Sequence, residues 1–289
     1  MLDILPQVMT NQFGNYLCQK LIEVCQVQNL KQFVKATLPS IVDISMDVHG
    51  TRAIQTLIEV VGKDPTTFHE ELLEIGAELN QFIFELSTHP NGNHVLQAYL
   101  IAFKASNLPH EKDAKGSESL GIYSQFIFDA CMSYCDSIGS DKHGCCVMQR
   151  CLEKGLWTQK LALADVIISR LNVLIEDPYG NYLVQNVLKL NNQERNDQIF
   201  NFIAGDFVRF SQLKFSSNVI EKCLETKQAG TQVDQIFKGI HIQDDASLVW
   251  ELGAQSRNQD LRVKLIVQRL VTHQFGNYVL QKAIHVVTD

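Results

Sequence analysis

A nine-residue pattern recurs seven times along this chain, and it limits what the chain can fold into more than any other feature. The segments are NQFGNYLCQ ending at Gln19, DVHGTRAIQ at Gln55, HPNGNHVLQ at Gln97, DKHGCCVMQ at Gln149, DPYGNYLVQ at Gln185, LKFSSNVIE at Glu221 and HQFGNYVLQ at Gln281. Six of the seven carry Gly before a variable pair, and six end in Gln. The first variable residues fall at Asn15, Thr51, Asn93, Cys145, Asn181, Ser217 and Asn277, so successive spacings are 36, 42, 52, 36, 36 and 60. A base period near 36 with insertions is a helical-repeat length, in which each unit buries its apolar face only by stacking on neighbours.

After each segment the apolar residues follow helical spacing, as in Leu17, Leu21, Ile22 and Cys25, or Val219, Ile220, Cys223 and Leu224. The stretch from Leu161 to Leu174 also reads as an amphipathic helix. Strand signals are weak throughout. The expectation is an all-α, curved α-solenoid of about seven stacked repeats with two or three helices each, a single repeat domain spanning 1–289. Two insertions interrupt the rhythm, at about 104–121 and about 228–255. Lys104 to Gly121 is rich in Pro, Gly, Ser and charge and reads as a mobile loop. The second contains Phe237, Ile240 and Trp250, which predict some ordered structure.

Composition narrows the class. The chain has 289 residues, 45% hydrophobic and 20% charged, enough for a sizeable core and unlike a disordered chain. No apolar run approaches the roughly 20 residues of a membrane-spanning helix, and the N-terminus lacks a signal peptide's basic and apolar regions, so a cytoplasmic location without membrane attachment is expected. The eight cysteines (Cys18, Cys25, Cys131, Cys135, Cys145, Cys146, Cys151, Cys223) fall mostly in apolar stretches and read as reduced thiols. Cys131 and Cys135 are spaced for one helix face, but a zinc site needs more ligands than His143 supplies, so neither metal nor cofactor is expected. The net charge of −7 opposes a nucleic-acid partner unless positive charge is concentrated locally.

Within each segment the chemistry lies at the first, second and fifth key residues. The first and fifth are one helical turn apart on one face, with the second beside them. In the first repeat these are Asn15, Tyr16 and Gln19. Two polar groups a turn apart can meet one flat object at its edge, and an aromatic or guanidinium beside them can cover its face. A nucleobase offers both surfaces.

The triplets NYxxQ, NHxxQ, CCxxQ and SNxxE resemble the base-reading helices of Pumilio-family (PUF) repeats. The resemblance covers nearly the whole chain, and the order of the triplets is similar to the second to eighth repeats of an eight-repeat member. One base per repeat is that family's rule and is implied here by resemblance. The edge-reading pairs are then Asn15/Gln19, Thr51/Gln55, Asn93/Gln97, Cys145/Gln149, Asn181/Gln185, Ser217/Glu221 and Asn277/Gln281. Asn with Gln suits uracil, which presents a donor between acceptors. Glu221 suits the two donors of guanine, with Ser217 leaving room. Cys145 with Gln149 suits adenine, and Thr51 with Gln55 is similar to an adenine reader but departs from the commoner Ser or Cys. The stacking residues are Tyr16, Arg52, His94, Cys146, Tyr182, Asn218 and Tyr278, of which Cys146 and Asn218 are the poorer platforms.

In the family the RNA runs antiparallel to the repeats, so the triplets from Asn277 back to Asn15 spell 5′-U-G-U-A-U-(A)-U, with an extra central base left open. The residue after the fifth position is Lys20, Arg150, Lys222 and Lys282 in four repeats. With Arg52 these are expected to form a positive stripe that meets the charge objection. The resemblance implies a partner, single-stranded RNA in mRNA 3′ untranslated regions, and post-transcriptional repression of translation or stability. It also implies protein co-regulators or a deadenylase complex recruited through the loop before the last repeat. Against an eight-repeat member, the chain is expected to lack the first repeat and the C-terminal cap.

Three other readings fit less. A protein-binding solenoid of the armadillo or HEAT type explains the period but not the repeated polar triplets. A nucleolar, low-specificity relative does not need a full UGUA order. An enzyme would need a catalytic or nucleotide fingerprint, and none is present; the recurring Gly14, Gly50, Gly92, Gly144, Gly180 and Gly276 are a structural rhythm, not a phosphate cradle. His49, His143 and Phe275 read as helix-start packing.

Overall fold

In a computed structural model, which describes residues 2–103, 118–226 and 259–288, the repeat period becomes a run of three-helix units. The first five units each have a short helix, a helix beginning at the recurrent glycine, and a longer outer helix. The short helices are α1 (Leu5–Thr10), α4 (Ile41–Met46), α7 (Ile83–Thr88), α10 (Cys135–Gly139), α13 (Leu171–Leu174) and α16 (Phe207–Gln212). The triplets lie on α2 (Gly14–Val24), α5 (Gly50–Val61), α8 (Gly92–Ala102), α11 (Gly144–Lys154), α14 (Gly180–Lys189), α17 (Ser216–Leu224) and α19 (Gly276–Thr288). The outer helices are α3 (Val27–Thr37), α6 (His69–Gln81), α9 (Glu118–Ser133), α12 (Trp157–Ser169) and α15 (Gln193–Ala204), while α18 (Gln259–Val271) packs on α19 with its Leu270 against Gly276, the place the short helices take in the other repeats. Among the described residues there is no strand, and no helix is long and apolar enough to cross a membrane.

The chain forms two compact units, Met1–Val166 and Ile167–Asp289. In the first, α2, α5, α8 and α11 pack side by side in chain order, and α3, α6 and α9 do the same in their own layer. The core between these layers includes Ile54, Leu57, Ile58, Leu72, Ile75, Leu79 and Tyr99, all without solvent exposure. Each such aliphatic side chain contributes about 1.5–3 kcal/mol on burial. Polar links tie neighbouring repeats: Tyr99 OH donates to the Leu72 carbonyl at 2.7 Å, and Asn91 Nδ2 donates to the Met46 carbonyl at 2.9 Å. In the second unit, α14 packs on α17 and α17 on α19. There Arg209 bridges Glu176 at 2.7 Å and also pairs with Asp206.

Two expectations are corrected. The periodicity predicts one helix over Leu161–Leu174; the structure has two, α12 and α13, because Arg170 leaves helical geometry (φ −110°, ψ 16°). The apolar spacing survives the break because Leu163, Ala164 and Ile167 before it and Leu171 and Leu174 after it are all buried. Cys131 and Cys135 likewise lie on separate helices, parted at Tyr134 (φ −113°, ψ 32°). The Sγ atom of Cys131 is 4.0 Å from that of Cys151. Of the segment Lys104 to Gly121, residues 118–121 belong to α9; the rest lies outside the described residues, as do Phe237, Ile240 and Trp250.

Candidate nucleic-acid interface

Six of the seven reading helices start the same way, the sixth repeat having Leu213 at the acceptor position, and the start fixes where their side chains sit. A polar side chain four residues before the first key residue accepts two backbone N–H groups of the turn. Asp177 Oδ1 takes the N–H groups of Tyr179 (2.8 Å) and Gly180 (2.7 Å), and Asp47 does the same for His49 and Gly50. Asn11 and Asp141 repeat the arrangement, while His89 and His273 use Nδ1. These residues satisfy donors that a helix start otherwise leaves open. His49, His143 and Phe275 sit at the N-cap or beside it and donate their backbone N–H to this acceptor.

The glycine that follows is required by close approach. A Cβ on Gly50 would lie 2.6 Å from the Ile44 carbonyl oxygen, too near for any side chain. Ser216 occupies this place in the sixth repeat and turns the proximity into a bond, its Oγ donating to the Phe210 carbonyl at 2.7 Å.

From this start the triplet residues fall into three environments. The first residue is buried at Asn15, Thr51, Asn93, Cys145, Asn181 and Ser217, and half-buried at Asn277. The second is exposed in all seven: Tyr16, Arg52, His94, Cys146, Tyr182, Asn218 and Tyr278. The fifth is half-buried at Gln19, Gln55, Gln97, Gln149, Gln185 and Glu221, and exposed at Gln281. The helix delivers this order: a foot in the packing, a platform in solvent, and a head group at the boundary.

In six repeats the fifth residue is pinned by the first. Gln Nε2 donates to Asn Oδ1 in the pairs 19/15 (3.0 Å), 97/93 (2.8 Å), 185/181 (3.0 Å) and 281/277 (2.8 Å). Gln55 donates to Thr51 Oγ1 at 3.1 Å, and Gln149 approaches Cys145 Sγ at 3.8 Å. Each Asn is itself fixed, its Nδ2 donating to two backbone carbonyls of the preceding turn; for Asn181 these are Asp177 at 2.9 Å and Pro178 at 3.0 Å. Asn therefore has no free amide hydrogen, and the Gln keeps one N–H and its Oε1 for a partner. Thr51 is committed in the same way, its Oγ1 donating to the Asn91 carbonyl at 3.2 Å.

The sixth repeat differs. Ser217 Oγ donates to the Lys214 carbonyl at 3.3 Å, and Glu221 has no hydrogen-bond or ion-pair partner among the described residues. Burial pushes its carboxyl above the usual range; Lys282 opposes this and Glu225 adds to it. Burial likewise raises the Cys145 thiol, with Cys146 adding to the effect, so Cys145 is a neutral small group. His94 is held below the usual imidazole value by burial first, then by the charges of Arg52 and His143.

The cations of the expected positive stripe are engaged within the chain, Arg52 excepted. Lys20 pairs with Glu23 at 2.6 Å, Arg150 with Glu153 at 2.8 Å, and Lys222 with Glu225 at 2.8 Å, while Lys282 reaches Glu225 at 2.7 Å. A carboxylate three residues on, one turn along the same rim, neutralises each of the first three. Arg52 carries no ion pair among the described residues. Among the described residues, no group of three or more His, Cys, Asp or Glu side chains is placed to hold a metal ion.

Comparison with known proteins agrees with this geometry. The family model described as "Pumilio-family RNA binding repeat" matches residues 5–36, 40–64, 82–98, 134–168, 174–204, 207–241 and 267–289. Pumilio homolog 12 of Arabidopsis thaliana is 32% identical over 98% of this chain and 41% of its own length. The Pumilio domain-containing protein C6G9.14 of Schizosaccharomyces pombe is 31% identical over 97% of this chain and 35% of its own length. The chain thus spans well under half of these relatives. Among solved structures, the Puf4 RNA binding domain bound to an HO endonuclease RNA 3′ UTR recognition sequence matches with a TM-score of 0.79. It is 32% identical and the match covers 100% of this chain and 77% of that one. The Puf3 RNA binding domain bound to a Cox17 RNA 3′ UTR recognition sequence matches with a TM-score of 0.69 at 25% identity, over 99% of this chain and 75% of that one.

Proposed function

The chain belongs to the Pumilio family of RNA-binding repeat proteins, and from that premise we propose that it reads a 5′-UGUA-containing single-stranded RNA, one base to a repeat. The observation that carries this reading is the constant three-way environment of the triplets, in which Glu221 alone replaces a pinned glutamine. A glutamine that keeps one N–H and Oε1 offers a donor and an acceptor, a pairing open to uracil and adenine alike. The first residue then separates them by volume. Asn15, Asn93, Asn181 and Asn277 fill the space a purine needs, whereas Cys145 and Thr51 leave more of it. An unpinned carboxylate offers only acceptors and selects guanine's N1–H and N2–H.

Read antiparallel, as the family resemblance implies, the order is U from Asn277/Gln281, G from Ser217/Glu221, U from Asn181/Gln185 and A from Cys145/Gln149. The exposed second residues stack between successive bases, a contribution of roughly 1–3 kcal/mol each where the side chain is aromatic or arginine. The reading extends to mRNA 3′ untranslated regions as targets, repression of translation or stability as outcome, no catalysis by the chain itself, and a cytoplasmic place of action. Protein co-regulators, a deadenylase complex among them, are proposed to dock through the stretch before the last repeat.

The test is binding of labelled 5′-UGUAUAUA RNA against the same RNA with UGU changed to ACA, at fixed near-physiological salt. Tight binding to the first and a loss of about 100-fold or more on the second (about 2.7 kcal/mol) is the expected result. Equal weak binding to both overturns sequence reading, and binding to neither returns the chain to the class of protein-binding solenoids.

A further inference from the structure

Glu225 lies four residues beyond Glu221 on the same face of the chain, just past the end of α17. Its two carboxylate oxygens are divided between two cations. Oε2 accepts from Lys222 Nζ at 2.8 Å, and Oε1 accepts from Lys282 Nζ of α19 at 2.7 Å. Lys222 and Lys282 are less than a third exposed, so water screens these pairs only in part.

Glu221, one turn back, is the carboxylate left without a partner among the described residues. Lys282 is close enough to act on its charge. An ammonium on a four-carbon stem re-aims readily, and once freed from Glu225 it still has the Glu221 carboxylate within range of its charge. A lysine bonded to Glu221 would occupy the acceptor oxygens that guanine needs and present donors in their place. Both would favour a base with acceptors at its edge.

We infer that Glu225 is a positioning residue for guanine selection: by holding Lys282 and Lys222, it keeps the Glu221 carboxylate open as an acceptor. This rests on the Glu221 reading given above and extends it to a residue outside the triplets. The pairing also gives a use to the carboxylate i+3 from Lys222, which contacts no base in that reading.

The experiment compares 5′-UGUAUAUA with 5′-UAUAUAUA RNA, which differ only at the second base, across the wild-type chain, Glu225→Gln and the double variant Glu225→Gln/Lys282→Met. Wild type is expected to favour G. Glu225→Gln is expected to lower the G-over-A ratio by about tenfold, or about 1.4 kcal/mol. The double variant removes Lys282, the one of the two freed cations whose charge acts on Glu221, and is expected to restore the ratio to near the wild-type value. Restoration separates this role from damage to the fold, which a second substitution would not repair. An unchanged ratio in Glu225→Gln overturns the inference, as does a double variant that stays impaired. A wild-type chain with no preference for G overturns the Glu221 reading and this inference with it; a wild-type preference that survives Glu225→Gln overturns this inference alone.

Discussion

Gln185 Nε2 donates to Asn181 Oδ1 at 3.0 Å while Asn181 spends its own amide hydrogens on the carbonyls of Asp177 and Pro178. The two residues are one turn apart, yet they hold different kinds of position. Asn181 is fully buried and ties the turn to the helix; Gln185 is half-buried and ends in a free donor and acceptor. Substituting each by Ala should therefore separate stability from reading. Asn181→Ala removes a donor from two turn carbonyls and should cost about 1–3 kcal/mol in urea unfolding. Gln185→Ala should stay within about 0.5 kcal/mol of the parent and lose base preference only at its own position. Equal stability of the two variants would show that Asn181 does not pin the turn.

Tyr182 is 48% exposed beside buried Asn181 and half-buried Gln185, on the side that solvent reaches. Its ring has area to lose to a stacked base and little to lose from the fold. Tyr182→Ala should weaken RNA binding by roughly 1–3 kcal/mol while leaving the ranking of bases intact. Cys146 occupies the same place in the fourth repeat with far less surface, so Cys146→Ala should change affinity much less. Titration of both variants against 5′-UGUAUAUA checks the pair, and a Tyr182→Ala variant as tight as the parent would mean that no base stacks there.

The raised carboxyl of Glu221 gives a pH dependence with a definite sign. Burial is the main cause, so the folded site takes up its proton more readily than the unfolded chain does. The stability from this group is fully present below the unfolded glutamate's pKa and is lost as pH rises through the higher folded value. Guanine reading runs the other way, because it needs the ionised form. As pH falls from neutral, the G-over-A preference should decline earlier than an exposed glutamate would dictate. Glu221→Gln should shift the second base from G towards A and abolish that decline. A variant that still prefers G would sink the assignment of Glu221 as the guanine reader.

The reading helices were legible in the sequence because a Gly, a Gln and an apolar rhythm repeat together, and all seven begin where the segments place them. The helix breaks at Arg170 and Tyr134 were not. Neither is a Gly or Pro, and the buried residues on both sides keep helical spacing across the break. The turn acceptors were hidden differently: Asn11, Asp47, His89, Asp141, Asp177 and His273 differ in type but share a lone pair at one position. Aligning the repeats by acceptor capacity, not identity, exposes them. The carboxylates that neutralise the rim were visible as Glu23, Glu153 and Glu225, each three residues after a basic side chain. They were missed because the cations were read against RNA alone.

Those carboxylates set the last expectation, the salt dependence of binding. Lys20, Arg150, Lys222 and Lys282 are each already paired within the chain. A phosphate meeting Lys20 or Arg150 must displace a carboxylate, and Lys222 and Lys282 stay with Glu225, so fewer counterions are released than four free cations would give. For single strands each neutralised phosphate contributes about 0.7 to the slope of log K against log salt, and the wild-type slope should fall below roughly 2.8 in magnitude. Glu23→Gln and Glu153→Gln each free one cation, exposed Lys20 and half-buried Arg150, and should each steepen the slope by up to about 0.7. Their effect on folding should be at most about 0.5 kcal/mol, since exposed i,i+3 pairs stabilise little. Binding titrated at several salt concentrations decides it: slopes unchanged by both substitutions would mean that Lys20 and Arg150 do not meet the RNA backbone.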